Sequence, residues 1–261
     1  MVKFDIMKNL LSYGFGDSMR MGASEIIAAG VCRATGMERA VVLPQQTHSA
    51  NVAIVKQCHI DRLLTGGRQA YTDILGDTDA LITQLPGLWI GVRTADCVPV
   101  LLCADDIRAV AAIHAGWKGT RSDIVGATVR QLVEMGADMR RIRAYIGPCI
   151  CADCYEVSPQ LAEAFREAGL TAGIMIPPIA SGDMAGISQT MDSRPHLDLR
   201  ECNRLRLVGA GLTDSDICIS NYCTRHTRLN TAPHADHPFY SYRRNPGESG
   251  RDITAIRLIL S

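Results

Sequence analysis

The stretch TADCVPVLLCADDIRAVAAIHAGWKGT, residues 94–120, contains two mostly apolar runs joined by a short charged turn. The runs VPVLLCA (98–104) and AVAAIHA (109–115) are short, rich in β-branched and small residues, and bounded by turn-forming residues, so they predict two strands. Cys97 lies just before the first run and His114 lies near the end of the second. Both residues could pack in a core or bind a ligand.

The flanking sequence alternates between short apolar runs and helical patterns. Further strands are predicted at 39–45, 51–56, 79–84, 88–94, 141–150, 216–223 and 252–260. Helices are predicted within 120–138 with Ser122 as N-cap, at 158–170 with Ser158 as N-cap and Pro159 in the first turn, and at 196–212. Residues 58–77 and 177–195 are predicted to be loops. The chain is expected to be one α+β domain, residues 1–261, with packed mixed sheets and helices on the outer faces.

Composition limits the classes of partner. The chain has 261 residues, 47% of them hydrophobic, with Lys+Arg and Asp+Glu equal at 27 each. Without a block of like charge the sequence predicts no nucleic-acid partner, and without an apolar run of about 18 residues it predicts no membrane span. The N-terminal residues lack a signal-peptide pattern, so we expect a cytoplasmic protein whose ten cysteines stay reduced. A small-molecule substrate is favoured, and the oligomeric state is left open.

Three residues of metal-binding types occur where predicted strands meet turns. His48 lies between two strands, Cys97 precedes Pro99, and His114 is followed by the turn AGWKG. Catalytic zinc sites use three protein ligands and keep one position open. The spacing of these residues matches no short metal motif. A metal site and a purely structural role in the core are therefore both possible from the residues alone.

Seven motifs carry a resemblance to a known family. They are PQQTHSANV, DTDALIT, TADCVPVLL, HAGWKGT, IGPCI with YEV, SYRR and GR, in this order from about residue 39 onward. This series resembles the YfiH-type family, known as multicopper polyphenol oxidase or laccase-like domain proteins and also as purine nucleoside phosphorylases. The resemblance implies mixed sheets with outer helices and one zinc ion held by His48, Cys97 and His114.

The resemblance also implies an activity. Members of the family are associated with phosphorolysis of adenosine, inosine and guanosine, cleavage of methylthioadenosine, deamination of adenosine and peptidoglycan editing. The implied partners are purine nucleosides and phosphate. Copper and oxidase activity also remain attached to the family name, although the seven histidines form no HxH pair of the kind that multicopper sites use. Alternatives are therefore a copper-dependent polyphenol oxidase, a peptidoglycan-precursor editing hydrolase and a non-catalytic interaction protein.

The sequence departs from the family pattern at two places. Residues 13–30 lack the glycine-rich loop expected near the N-terminus and run into a helix-like stretch. Lys118 stands where the family more often has arginine, which replaces a planar two-pronged donor by a point charge. Part of the substrate-binding wall is therefore expected to differ.

Other polar residues are weaker candidates. Asp96 is predicted as a catalytic residue or, alternatively, a turn cap, and Lys118 as a catalytic phosphate-binding residue. Arg243 and Arg244 are predicted to bind phosphate, because arginine presents paired donors to a tetrahedral anion. The cysteines of CICADC (149–154) have no histidine nearby in the sequence and are interpreted as structural thiols. The histidines at 226, 234 and 237 lie in a polar segment and are interpreted as exposed side chains.

Overall fold

The computed structural model describes residues 27–33, 41–176, 194–227 and 238–258. Their strands form two larger mixed sheets and a short two-stranded sheet. Most of the predicted loop 177–195 lies outside these residues. The sheets confirm the expected class of packed mixed sheets. The strands are β1 Ile27–Arg33, β2 Val41–Val42, β3 Val52–Val55, β4 Ala80–Thr83, β5 Trp89–Thr94, β6 Val98–Ala104, β7 Ala109–Ala115, β8 Ile142–Ile146, β9 Ile174–Met175, β10 His196–Leu197, β11 Ile217–Ile219 and β12 Asp252–Leu258.

The six-stranded sheet has the order β11-β8-β6-β7-β4-β3, and the four-stranded sheet has the order β1-β12-β5-β2. The two runs that open the sequence analysis become β6 and β7, with the predicted bounds, and they pair antiparallel near the middle of the larger sheet. Every residue of both strands is buried. Their continuous apolar character follows, because a strand covered on both faces has no solvent side that needs polar residues.

Six helices lie outside the sheets within the described residues. They are α1 Gln57–Thr65, α2 Gly67–Leu75, α3 Trp117–Arg121, α4 Ile124–Glu134, α5 Pro159–Glu167 and α6 Leu199–Gly209. Along β6, Leu101 and Cys103 face the core between the two large sheets. Val100 and Leu102 face the opposite core, which the buried residues of α4, α5 and α6 complete. These three helices therefore cover one outer face of the larger sheet, as expected.

The predicted loop at 58–77 is wrong, because α1 and α2 occupy it. Ile60, Leu63 and Ile74 pack against the core between the sheets, so tertiary burial stabilises these helices. The paired glycines and polar residues in the segment favour a loop in the sequence analysis. Gly67, with φ +56°, allows the chain to turn between the two helices. The helix-like expectation for residues 13–30 is also wrong at 27–30, because these residues belong to β1, which pairs with β12.

Several boundaries also differ from the predictions. α4 begins after Asp123, whose carboxylate accepts the Gly126 amide at 3.2 Å, and not after Ser122. Ser158 caps α5 as predicted, accepting the Leu161 amide at 3.2 Å. The predicted helix at 196–212 starts later, at α6, because its first residues pair as β10. Of the strand predicted at 39–45, the described part, 41–45, forms a strand only at β2.

Candidate metal centre and its cavity

The structure brings the three predicted ligands together. Cys97 directly precedes β6, His114 lies in β7 opposite Pro99, and the loop before β3 carries His48. The Cys97 Sγ and the His48 Nε2 are 4.0 Å apart, and the two imidazole ring centroids are 4.8 Å apart. One ligand atom from each of the three residues lies within 4.8 Å of the other two. His114 is buried, Cys97 is half-buried and His48 is exposed, so the group lies at the surface of a cavity and could hold a metal ion.

Asp79 organises this group, and the sequence analysis gave it no role. Its buried carboxylate accepts the amides of Thr47 at 3.0 Å, His48 at 3.1 Å and Ser49 at 2.8 Å, and also the Ser49 hydroxyl at 2.8 Å. The same carboxylate accepts a hydrogen bond from His114 Nδ1 at 2.7 Å. This bond leaves His114 Nε2 to face the other two ligands, which is the usual arrangement of a metal-binding histidine. The signal in the sequence was the acidic residue just before a buried strand in DTDALIT.

Mutual electrostatic interaction shifts the proton equilibria of the site. Burial alone would raise the pKa of Cys97, but the charge and hydrogen bond of His114 and those of His48 lower this pKa to about 6. Burial alone would lower the pKa of His114, but the Cys97 thiolate and the Asp79 hydrogen bond raise that pKa to about 9. Without a metal, these opposite shifts favour a thiolate at Cys97 paired with an imidazolium at His114. A cation binding here replaces the proton that this pair shares.

Backbone geometry makes room for the ligands. His48 has a left-handed backbone, φ +64°, which allows its amide to point at Asp79. A Cβ atom on Gly116 would lie 2.8 Å from the His48 ring and 3.1 Å from Cys97 Sγ. Glycine is therefore required at position 116 for the two side chains to approach each other.

A cavity of about 880 Å³ opens from the group. This volume lies within the range that is usual for small-molecule sites, about 300–1,000 Å³. Its lining includes three aromatic side chains, Trp117, Tyr155 and Tyr242, and three arginines, Arg93, Arg243 and Arg251. Flat apolar walls and cationic groups thus occur together beside the three ligands.

The remaining predicted site residues separate into two groups. Asp96 and Arg243 line the cavity, and the Arg243 guanidinium lies 5.1 Å from the Tyr155 ring centroid. Both carboxylate oxygens of Asp96 already accept hydrogen bonds, from the Thr224 hydroxyl at 2.7 Å and from the Arg243 amide at 2.6 Å. Asp96 therefore fixes two loops in place.

Arg244 and Lys118 are not among the residues that line this cavity. The Arg244 guanidinium donates to the carbonyls of Thr224, Arg225 and Phe239 at 2.7–2.9 Å. Lys118 is exposed, with its ammonium nitrogen 5.5 Å from the Trp117 ring centroid.

The CICADC cysteines are interpreted as structural thiols because no histidine lies near them in the sequence. The structure shows that they do have a histidine neighbour. The loop after β11 brings His226 to 3.2 Å from Cys154 Sγ and 3.7 Å from Cys151 Sγ. Cys223 joins them, so four possible ligand atoms lie within 4.8 Å of one another. His226 is exposed as predicted, whereas the histidines at 234 and 237 lie outside the described residues.

Comparison with known proteins identifies the class. The chain matches the family described as multi-copper polyphenol oxidoreductase laccase over residues 17–259. The chain therefore belongs to this family, as the sequence motifs indicated.

Two relatives found by sequence comparison carry enzyme names. The chain is 37% identical over 216 residues to adenosine deaminase RL5 from an unknown prokaryotic organism. This match covers 83% of this chain and 74% of the relative. It is 39% identical over 180 residues to a purine nucleoside phosphorylase of Deinococcus radiodurans, covering 69% of this chain and 61% of the relative. The second match therefore spans less than two thirds of the relative's length.

Solved structures agree with the fold. YlmD from Geobacillus stearothermophilus superposes with a TM-score of 0.67 at 26% identity, covering 92% of this chain and 96% of that chain. The hypothetical protein YfiH from Bacillus licheniformis gives a TM-score of 0.63 at 31% identity, covering 84% and 74%. Among the described residues of the chain, no helix has the length and apolar character needed to cross a membrane.

Proposed function

We propose that this chain is a zinc-dependent purine nucleoside enzyme that cleaves adenosine, inosine, guanosine and methylthioadenosine with phosphate and that also deaminates adenosine. The observation that carries the proposal is the group of His48, Cys97 and His114 beside a cavity with aromatic walls and arginines. The names of the relatives, purine nucleoside phosphorylase and adenosine deaminase, support the same substrate class.

The donor set fits zinc. One thiolate and two imidazoles are ligands that zinc accepts in catalytic sites, where a further position stays open for water or substrate. The bond from His114 Nδ1 to Asp79 holds this ring in the tautomer that a metal requires. When bound, zinc supplies Lewis-acid chemistry, lowering the pKa of a coordinated water to about 7 or polarising a substrate oxygen.

The cavity residues provide substrate binding. We propose that the aromatic rings of Trp117, Tyr155 and Tyr242 hold the purine, since flat rings stack on nucleobases. Burial, followed by the nearby Cys97 thiolate, raises the pKa of Tyr155 to about 12, so its phenol keeps its proton at neutral pH. Arg243 is the proposed partner of phosphate.

The other residues predicted from the sequence, Asp96, Arg244 and Lys118, have different roles in this proposal. Asp96 is a positioning residue that orients the Arg243 backbone, in place of the catalytic role predicted from the sequence. Arg244 supports the loop that carries Thr224. Lys118 remains a prediction for phosphate attraction at the surface.

The test is an assay of the zinc-loaded protein against adenosine, inosine and methylthioadenosine, each with and without phosphate. Phosphorolysis releases free base and a sugar 1-phosphate only when phosphate is present, whereas deamination converts adenosine to inosine and ammonia without it. The Cys97→Ser variant should lose both reactions, and Cys58→Ser, which alters an exposed cysteine, should keep them. Failure of the wild-type protein to produce base or ammonia would reject the proposal. Oxidation of phenols by the copper-loaded protein alone would favour the oxidase alternative.

A cytoplasmic location is part of the same proposal. The nine cysteines whose side chains the structure describes are free thiols. Reduced thiols in this number are typical of a reducing compartment. Purine nucleosides and phosphate are available there as substrates.

A further inference from the structure

The second group of potential ligands consists of Cys151, Cys154, Cys223 and His226, and it is separate from the three residues of the candidate metal centre. Cys151 is the N-cap of a short 3-10 turn, Ala152–Cys154, and Cys154 is its last residue, whereas Cys223 and His226 lie in the loop after β11. The sequences CADC and CTRH thus each contribute two residues with two residues between them. Two such pairs, far apart in the chain, are the usual arrangement of a structural zinc site.

We propose that these four side chains bind a structural zinc ion as a Cys₃His site. Tetrahedral zinc with a Zn–S distance of about 2.3 Å and a Zn–N distance of about 2.0 Å places sulfur and nitrogen ligands roughly 3.5 Å apart. The observed separations from His226 Nδ1, 3.2 Å to Cys154 Sγ and 3.7 Å to Cys151 Sγ, lie on either side of this value. All four ligand atoms lie within 4.8 Å of one another, so little movement is needed to surround an ion.

The environment of Cys223 suits a thiolate ligand. The Cys151 amide points at Cys223 Sγ, 3.4 Å away, and amide hydrogen bonds of this kind stabilise sulfur ligands of a metal. Cys223 is buried, Cys151 and Cys154 are half-buried and His226 is exposed, so an ion could enter from the solvent side. Four protein ligands leave no open position, which favours a structural role over a catalytic one.

The proposed site would join the loop of Tyr155, which lines the cavity, to the loop after β11, which supports a residue of the cavity lining. Cys154 is followed by Tyr155, whose ring lines the cavity, and Cys223 is followed by Thr224, whose hydroxyl holds Asp96. A metal ion would therefore fix the positions of both neighbours at once. This inference does not depend on the proposed reaction, because it concerns the metal content of a different group of residues.

Metal analysis of purified, reduced protein tests the inference. We expect about two zinc ions per chain in the wild type, about one in Cys154→Ser and about one in Cys97→Ser. Cys218→Ser, which replaces another half-buried cysteine outside both groups, should retain about two. A wild-type protein that binds zinc only through the residues around Cys97, or a native Cys151–Cys154 disulfide under reducing conditions, would overturn the proposal.

Cobalt substitution gives a second test that leaves the proposed ligands intact. In the Cys97→Ser variant the first group has lost its only thiolate. Adding Co²⁺ to this variant after metal removal should still produce the sulfur-to-cobalt absorption and the strong visible bands of tetrahedral cobalt. The double variant Cys97→Ser/Cys154→Ser should show a loss of most of this absorption. Weak octahedral bands alone in Cys97→Ser would refute the four-ligand site, even if Cys154→Ser proved too unstable to purify.

Discussion

Replacing Asp79 by asparagine should weaken the candidate metal centre without touching any of its three ligands. If the new amide oxygen takes the position that accepts from Thr47 and Ser49, the new NH₂ group faces the His48 amide and His114 Nδ1. The His48 amide then loses its acceptor. His114 can bond to the NH₂ group only by giving up its Nδ1 proton, and the proton then occupies Nε2, where a metal would bind.

The expected magnitudes follow from these contacts. Loss of a partner that orients a metal-binding histidine weakens metal affinity about 10- to 100-fold, and the change of tautomer places Asp79→Asn near the upper end. One buried donor left without an acceptor costs about 1–3 kcal/mol, and the lost charge adds to this. We therefore expect the free energy of unfolding of the metal-free variant to fall by about 3 kcal/mol.

Competition with a coloured chelator measures the affinity, and denaturant unfolding of the metal-free forms measures stability. Asp77→Asn is the matched control, because Asp77 lies in the same motif but is exposed and contacts the side chains of Thr47 and Asn51. Affinity within threefold of wild type and unchanged stability in Asp79→Asn would refute the assigned role.

The pH dependence gives an independent measurement of the same contacts. Burial would raise the pKa of Asp79, but hydrogen bonds from His114 and from the Ser49 and Thr47 amides lower this pKa from 3.8 to about 2. A carboxylate with a lowered pKa stabilises the fold above its unfolded pKa, and that stability is lost as the pH falls through the folded pKa. Metal-free wild type should thus lose about 2 kcal/mol between pH 4 and pH 2 through this group, and Asp79→Asn should lack this contribution.

Three further predictions concern neighbouring residues. Gly116→Ala should lower zinc content and activity, because the added methyl group collides with two ligand side chains. Gly209→Ala is the control, because no atom lies within 4 Å of a Cβ added there, and it should leave both quantities unchanged. Metal analysis and the activity assay measure the two quantities. In metal-free protein, Cys97 should react with iodoacetamide with an apparent pKa of about 6 and be protected by zinc, while Cys103, whose pKa burial raises to about 12, should stay unmodified by mass spectrometry. Arg243→Ala should raise the KM for phosphate about tenfold or more with a smaller change in kcat, and an unchanged KM would remove this residue from phosphate binding.

The central strands could be predicted from the sequence because their burial is nearly complete. β6 and β7 are apolar throughout and end at turn residues, so the sequence pattern and the tertiary environment agree. α1 and α2 could not be predicted in the same way, because each buries only part of its surface and carries polar residues elsewhere. Their stability comes from packing against the core between the sheets, which a local pattern does not reveal.

The candidate ligands could be proposed from the sequence, but their supporting contacts could not. Cys97 directly precedes β6 and His114 lies in β7, and these two strands pair with each other, so strand pairing alone brings the two residues close together. Asp79 looks like an ordinary acidic residue in a turn, and its role appears only when the loop of His48 folds over it. His226 lies 72 residues from Cys154, and only the position of the loop after β11 joins them.

Asp96 connects the two groups of potential metal ligands. It lies next to Cys97 in the chain and accepts the hydroxyl of Thr224, which lies next to Cys223, at 2.7 Å. Its other oxygen holds the Arg243 amide at 2.6 Å, so one carboxylate fixes both the loop of the second group and a cationic wall of the cavity. If the second group binds zinc, metal loss there should release Thr224 first and disturb Arg243 through Asp96. Its effect on catalysis should therefore appear mainly in KM for the anionic substrate, with His48, Cys97 and His114 still in place to bind their own ion.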